Sequence, residues 1–243
     1  MATAQPITPE ALDPAEIAPN IDHIVTEDDT PVDNMFSEKQ QRLLTEPLYS
    51  SWPGPGEGRP FVAAANVGVF AAVYQPPLVP DMFLSLDVQA PQDLWPKAHR
   101  SYFLWEYGKP PDVVIEIVSN RKGQEAGSKL REYARIGAIY YVIFDPDEQL
   151  QAKILRLYAL REGKYVPLKG QWLPEVGLGL TLWQGVFEGV EATWLRWCDH
   201  DGNVIATGAE RAEQERGRAE QERERAERLA ARLRELGIDP EGV

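Results

Sequence analysis

The sequence has one cysteine, three histidines and no long apolar run. A single thiol, Cys198, excludes intrachain disulfides and cysteine-cluster metal sites, and we expect it to be partly buried. The histidines, His23, His99 and His200, have no metal-ligand spacing, which argues against a histidine-based metal hydrolase. No segment reaches the roughly 18 apolar residues that a transmembrane helix needs, so none is expected.

Positive charge is also scarce, since the formal net charge is -13. This balance argues against a constitutive, high-affinity nucleic-acid binder, because neutralising phosphates needs clustered Lys and Arg. The deficit is uneven: residues 8–33 hold eight acids and no Lys or Arg, whereas residues 121–135 carry a local balance of +3. The N-terminal region has neither a basic start nor an apolar core, so we expect no secretory signal and a cytoplasmic location.

Composition and periodicity divide the chain into three parts. Residues 1–34 are predicted to be a flexible acidic arm, residues 35–205 a folded domain and residues 206–243 a charged helix. The domain is predicted to begin with a helix over 38–51, capped by Ser37 and kinked or restarted at Pro47. A hairpin is predicted around Asn66-Val67, and a strand over 79–86 that carries Asp81.

The centre of the domain has a strand–helix–strand pattern. Residues 113–118 form a continuous apolar strand, residues 127–136 an amphipathic helix that stops at Gly137, and residues 139–144 a second apolar strand. This order predicts parallel pairing of the two strands with a right-handed crossover. Residues 152–183 alternate as an antiparallel ribbon with a turn at 161–164, which we expect to cover the edge of the sheet.

Heptads rich in Ala, Glu and Arg repeat over residues 209–236. Their seam is small and half polar, which favours a single helix laced by Glu–Arg pairs over a strong coiled coil. A weak homodimer through the last two heptads is the alternative. Gly237 and Asp239-Pro240 are predicted to end the helix.

Two acids and a lysine stand where phosphodiester chemistry could use them. Glu116 lies within the apolar strand 113–118, Asp81 follows another apolar run, and Lys129 lies on the next helix. A buried carboxylate needs a partner or a metal ion, and two carboxylates with a lysine suit magnesium-dependent phosphodiester cleavage. A purely structural Glu116–Lys129 bridge would also satisfy the acid, while Asp81 and Asp112, each after a proline, could simply support turns.

Several segments together resemble the Uma-type family of restriction endonucleases, within the PD-(D/E)XK nuclease superfamily. They are residues 105–119, 129–137 and 140–146, with Val79-Pro80-Asp81 upstream, and the likeness covers roughly residues 36–200 and the style of the tail. The resemblance implies an α+β fold with a restriction-endonuclease-like αβββαβ core, a mixed sheet, an antiparallel extension and a C-terminal charged helix.

The resemblance also implies roles for individual residues. Asp81 and Glu116 would be the acids that bind Mg²⁺, with Mn²⁺ as a substitute. Val118 stands where the superfamily usually has its lysine, and Lys129 would take that role from the following helix. The superfamily often adds a residue from its first helix, and Glu38 and Gln41 both remain candidates.

The function expected from these residues is a metal-dependent endonuclease that hydrolyses DNA. Four basic residues would contact the DNA backbone: Arg121, Lys122, Arg131 and Arg135. An RNA or branched-DNA substrate would use the same site. The alternative from another class is a catalytically inactive nuclease-fold module that acts through its charged helix.

Overall fold

A computed structural model describes residues 19–24, 34–56, 58–119, 125–150 and 153–235. The helices are α1 (Met35–Ser50), α2 (Leu104–Tyr107), α3 (Leu130–Ile136) and α4 (Gly208–Glu235), with a 3-10 turn at Lys97–His99 and a π-helical turn at Glu125–Lys129. The strands are β1 (Phe61–Ala64), β2 (Val69–Phe70), β3 (Met82–Leu86), β4 (Tyr102–Phe103), β5 (Val113–Ile117), β6 (Tyr140–Phe144), β7 (Leu155–Arg161), β8 (Lys164–Pro167), β9 (Trp172–Leu173), β10 (Leu178–Phe187) and β11 (Val190–Cys198).

Six strands form the main sheet in the order β1-β3-β5-β6-β7-β8. β5 and β6 are parallel and are joined through the π-helical turn and α3, whereas the other neighbours are antiparallel. Taken along the chain, α1, β1, β3, β5, α3 and β6 make the αβββαβ core. The predicted mixed sheet and restriction-endonuclease-like architecture are therefore confirmed.

β5 is buried on both faces, as its apolar run predicts. Val113 and Ile115 face a core shared with α1 and with the three-stranded sheet β11-β10-β9. Val114 faces a second core that includes Tyr133 of α3. The site described below depends on this alternation, because Glu116 lies on the same face as Val114.

α1 begins earlier than predicted, at Met35. Asn34 is its N-cap, since its Oδ1 accepts a hydrogen bond from the Ser37 backbone N at 2.8 Å, and Ser37 lies buried inside the first turn. The helix continues through Pro47 to Ser50. Asn34 and Ser37 could each cap a helix, and the sequence alone does not say which of the two does so.

The hairpin predicted around Asn66-Val67 is wrong. β1 pairs with β3, and β2 pairs in parallel with β4, so the strands on the two sides of this turn belong to different sheets. Asn66 has a φ of 55°, which suits a turn but does not select the partner of the strand that follows it. The strand with Asp81 also starts later than predicted, at Met82.

The ribbon after residue 152 has two roles rather than the one that was expected. β7 and β8 form the predicted hairpin and extend the main sheet, with Glu162 and Gly163 at positive φ in the turn. β9, β10 and β11 instead pack over a face of the sheet: Leu180 and Trp197 share a core with residues of β3, β5 and β6. Alternation within each strand reveals pairing but not the layer to which a hairpin belongs.

The described part of the arm is packed, although a flexible segment was expected there. Ile24 is 7% exposed and contacts Phe70 and Phe103. His23 stacks on Tyr74 with ring centroids 5.4 Å apart. The prediction rested on the acidic composition of this segment, which hides the apolar residues Ile21 and Ile24.

The N-terminus of α4 is held by a capping box, and the rest of the helix is exposed. Thr207 and Glu210 form a capping box: the Glu210 backbone N donates to Thr207 Oγ1 at 3.1 Å, and the Thr207 backbone N donates to Glu210 Oε2 at 2.7 Å. Within its described residues, Gly208–Glu235, the helix buries no side chain. Gly237 and Asp239-Pro240, the predicted stop, lie outside the described residues. None of the described helices is long and apolar enough to cross a membrane.

Candidate active site

The start of β3 and the end of β5 bring the two predicted acids together. Met82 lies opposite Ile115 in the antiparallel pair, so Asp81, one residue earlier, lies beside Glu116, one residue later. Both residues occupy the sheet face that is covered by α3. Strand register alone therefore places the two carboxyl groups side by side.

Glu116 is 1% exposed and is held through both carboxyl oxygens. Tyr133 OH donates to Oε1 at 2.8 Å, and Lys129 Nζ donates to Oε2 at 2.8 Å. The lysine side chain is 32% exposed, so the pair connects the interior with solvent. Lys129 ends the π-helical turn and Tyr133 comes four residues later, which puts both side chains on the face of the helix that meets the sheet.

Asp81 is half-buried and is fixed by a backbone amide and a side-chain amide. Its Oδ2 accepts from the Ile117 backbone N at 2.7 Å, and its Oδ1 accepts from Gln41 Nε2 at 3.1 Å. Asn66 Nδ2 in turn donates to Gln41 Oε1 at 2.9 Å. Gln41 is well placed because its neighbour Gln40 bonds both backbone groups of one β11 residue, which fixes α1 against that strand.

The site is electrostatically crowded. Burial raises the pKa of Glu116 to about 8, Lys129 lowers that pKa and the nearby Asp81 carboxylate raises it further. Burial also raises the pKa of Asp81, against the lowering effects of the Ile117 N–H, of Lys129 and of hydrogen bonds that include one from Glu116. The two carboxyl groups therefore influence each other's pKa. Two desolvated acids with raised pKa values in one place are typical of functional sites.

The donor set fits a small, hard divalent cation. Asp81 and Glu116 supply carboxylate oxygens, and the Ile117 carbonyl leaves the strand on the same side as the Ile117 N–H that bonds Asp81. Within the part of the chain that the structure describes, no group of three His, Cys, Asp or Glu side chains could hold a metal ion. Mg²⁺ suits such a sparse set, because it keeps several waters and is often bound by one or two carboxylates together with substrate phosphate oxygens.

Of the two first-helix candidates, Gln41 is the one that meets Asp81. Glu38 instead forms an ion pair with Arg42, four residues along α1, and Arg42 also pairs with Glu188. Helical periodicity explains the difference, since residues three apart differ in direction by about 60°. Only Gln41 faces the start of β3.

The predicted DNA-contacting residues are only partly visible. Arg131 and Arg135 are exposed on α3, and Arg135 Nη2 donates to Gln75 Oε1 at 3.0 Å. Arg121 and Lys122 lie outside the described residues.

Sequence reasoning missed two members of the site. Tyr133 could have been found, because it stands four residues after Lys129 and therefore shares its helix face. Asn66 carried no such signal, since its contact with Gln41 depends on the path of the loop between β1 and β2.

Comparison with known proteins agrees with the geometry. Residues 27–184 match the Uma2 family, described as "Putative restriction endonuclease". The chain belongs to the Uma2 family. Its αβββαβ core is consistent with a PD-(D/E)XK-like nuclease family, for which DNA is the implied substrate. A search of the curated proteins finds no match.

Proposed function

We propose that this Uma2 protein is a Mg²⁺-dependent endonuclease that hydrolyses DNA phosphodiester bonds. The observation that carries the proposal is the strand register that sets Asp81 beside Glu116, with Lys129 Nζ bonded to Glu116 Oε2 at 2.8 Å. A pair of desolvated carboxylates concentrates negative charge that a divalent cation would neutralise.

Each residue has a part in the proposed reaction. Asp81, Glu116 and the Ile117 carbonyl would hold Mg²⁺, which when bound polarises the scissile phosphate and the attacking water. Lys129, already at the site and 32% exposed, orients a water or a phosphate oxygen through its ammonium group. Tyr133 and Gln41 are positioning residues, because each holds one of the two acids in place. Arg131 and Arg135 contact the DNA backbone from the exposed side of α3.

The test is cleavage of plasmid and linear DNA with Mg²⁺ or Mn²⁺ by the parent and by Asp81→Asn and Glu116→Gln. Both variants are expected to lose cleavage by about a thousandfold or more, because each removes a charge that holds the metal. Asp112→Asn is the matched control, since Asp112 is another buried acid paired with a lysine, at the opposite end of β5. Cleavage that persists in both site variants would refute the proposal.

The second candidate, an inactive nuclease-fold module, has its own observation. Both Glu116 oxygens already have protein partners, as in a structural ion pair, and α4 presents an exposed charged surface suited to a partner or to a second copy of the chain. Under this alternative the folded protein would bind no Mn²⁺ and cut neither DNA nor RNA. Removal of residues 217–243 would then abolish its association with partner or copy, which sedimentation velocity can measure for the homodimer.

A further inference from the structure

The start of β7 holds a basic side chain that the fold does not use. The Nε and Nη2 atoms of Arg156 are buried and, among the residues that the structure describes, have no hydrogen-bond partner. Buried N–H groups without acceptors are costly and rare, and a charged guanidinium is costlier still. Arg161, on the same strand, shows the ordinary arrangement: it is exposed and lies 3.5 Å from Glu175.

Arg156 lies in one row with the two acids. Asp81 adjoins Glu116, Glu116 lies opposite Ile143, and Ile143 lies opposite Arg156. Residues paired in this way share one face of the sheet, and neighbouring strands are about 4.8 Å apart. The Cα of Arg156 is therefore about 10 Å from that of Glu116, a gap that an extended arginine can largely span. β5 and β6 also end at this edge of the sheet, where ligands of such sheets commonly bind.

A cavity of about 530 Å³ opens beside Arg156. Lys153 and Arg156 supply positive charge to its wall, and Gln171 supplies an amide. No Asp or Glu lines this cavity among the described residues. A space with two cations in its wall suits an anion that accepts several hydrogen bonds, and a phosphate group has that chemistry.

We infer that Arg156, with Lys153, binds a backbone phosphate of the nucleic-acid strand whose neighbouring phosphate lies at Asp81 and Glu116. The inference rests on the proposed function for the identity of the anion. It adds a phosphate site on the β7 side of the acids. Arg156 acts in binding and positioning, not in the chemical step.

The test is binding of a short fluorescent DNA duplex without divalent metal, measured by anisotropy over a range of salt concentrations. Arg156→Met is expected to weaken binding about tenfold, the equivalent of one charge-assisted hydrogen bond. The slope of log K against log salt should also fall by about 1. Arg161→Met is the matched control and should bind as the parent does; equal binding by Arg156→Met and the parent would overturn the inference.

Two further readouts separate this site from a structural role and from a site for free phosphate. Arg156→Met should melt at the same or a higher temperature than the parent, because it removes a buried charge without a partner; a lower melting temperature would mean that Arg156 serves the fold. Inorganic phosphate, titrated calorimetrically, should bind far more weakly than the duplex. Phosphate binding that depends on Arg156, with no effect of Arg156 on the duplex, would overturn the backbone assignment.

Cleavage kinetics keep this inference apart from the proposed function. In an active parent, Arg156→Met should raise KM and leave kcat nearly unchanged, because the residue binds substrate and does not touch the reacting atoms. A parent that cuts nothing but binds the duplex through Arg156 would refute the nuclease and leave the phosphate site standing. A parent that cuts DNA with the same KM after Arg156→Met would do the reverse.

Discussion

The two ends of β5 each carry a buried acid bonded to a lysine, and the two pairs differ in what surrounds them. At the start, Asp112 Oδ2 accepts from Lys109 Nζ at 2.5 Å and from the Leu86 backbone N at 2.7 Å. Lys109 also donates to the Leu86 carbonyl at 2.9 Å. Every partner here belongs to the scaffold, so this pair joins the end of β3 to the turn before β5.

At the other end, Glu116 shares its space with a second carboxyl group. Its carboxyl oxygens accept hydrogen bonds from the Lys129 ammonium group and the Tyr133 hydroxyl, and Asp81 lies beside it. A structural pair needs no second acid, and here the Asp81 carboxylate raises the pKa of Glu116. The difference teaches that burial and an ion pair also occur in the scaffold, and that the second carboxyl group, that of Asp81, is what sets the Glu116 end apart.

Replacing each of the two lysines with methionine tests the comparison most sharply. Lys129→Met should lower kcat by about a hundredfold to a thousandfold, the range for removing one electrostatic stabiliser of a transition state. Lys109→Met should leave cleavage by the folded fraction unchanged, because the ammonium group of Lys109 bonds scaffold groups within the described part of the chain. Single-turnover cleavage measures both, and equal losses would show that the two pairs are equivalent.

The pH dependence of the free energy of unfolding should come from the Glu116 end of β5. Because the pKa of Glu116 rises from 4.5 to about 8 on folding, the metal-free folded protein holds a proton that the unfolded chain has released between those values. Its stability should therefore fall as pH rises through that range, by a few kcal/mol at most. Urea unfolding at a series of pH values should show this fall in the parent and a much flatter profile in Glu116→Gln, with the raised pKa of Asp81 leaving a small remainder.

Replacing Asp112 and replacing Glu116 should change the free energy of unfolding in different ways. Asp112→Ala leaves the Leu86 N–H and the Lys109 ammonium without their acceptor, so the free energy of unfolding should fall by about 1–3 kcal/mol. Glu116→Gln near neutral pH should be neutral or stabilising, because it removes the charge crowding with Asp81 and replaces the carboxyl group with an amide of nearly the same size. A large loss of stability in Glu116→Gln would make the second pair structural as well.

The smallest effect concerns α1. Gln41→Ala should lower cleavage about tenfold, as expected for a group that orients a metal-binding acid from outside the metal sphere. Glu38→Ala, one turn away on the same helix, should have no effect on cleavage because its partner is the exposed Arg42. A larger loss in Glu38→Ala would restore it as the first-helix residue of the site.

Sequence could predict the part of the fold that depends on local pattern. The apolar runs of β5 and β6, with a helix between them that stops at Gly137, determine a parallel unit without any knowledge of the rest. The partner of β1 and the layer of β9–β11 depend on contacts far apart along the chain, and strand alternation carries no information about them. The predicted N-cap of α1 was wrong for a simpler reason, because Asn34 and Ser37 are both good capping residues.

The candidate site shows the same division. Glu116 was prominent because an acid in an apolar strand requires a partner, and Lys129 followed from its position on the next helix. Choosing Gln41 over Glu38 required the orientation of α1, which the bonds of Gln40 to β11 determine. Nothing in the sequence singled out Arg156, because an arginine in an alternating strand normally faces solvent.

The central claim is that the second carboxylate makes a metal site at one end of β5 and not at the other. Isothermal titration of Mn²⁺ into the metal-free parent, Glu116→Gln and Asp112→Asn, with a short DNA duplex present to complete the metal sphere, tests it directly. The account predicts saturable binding in the parent and in Asp112→Asn, and none in Glu116→Gln. Binding that survives in Glu116→Gln, or its absence from a folded parent, would contradict the claim.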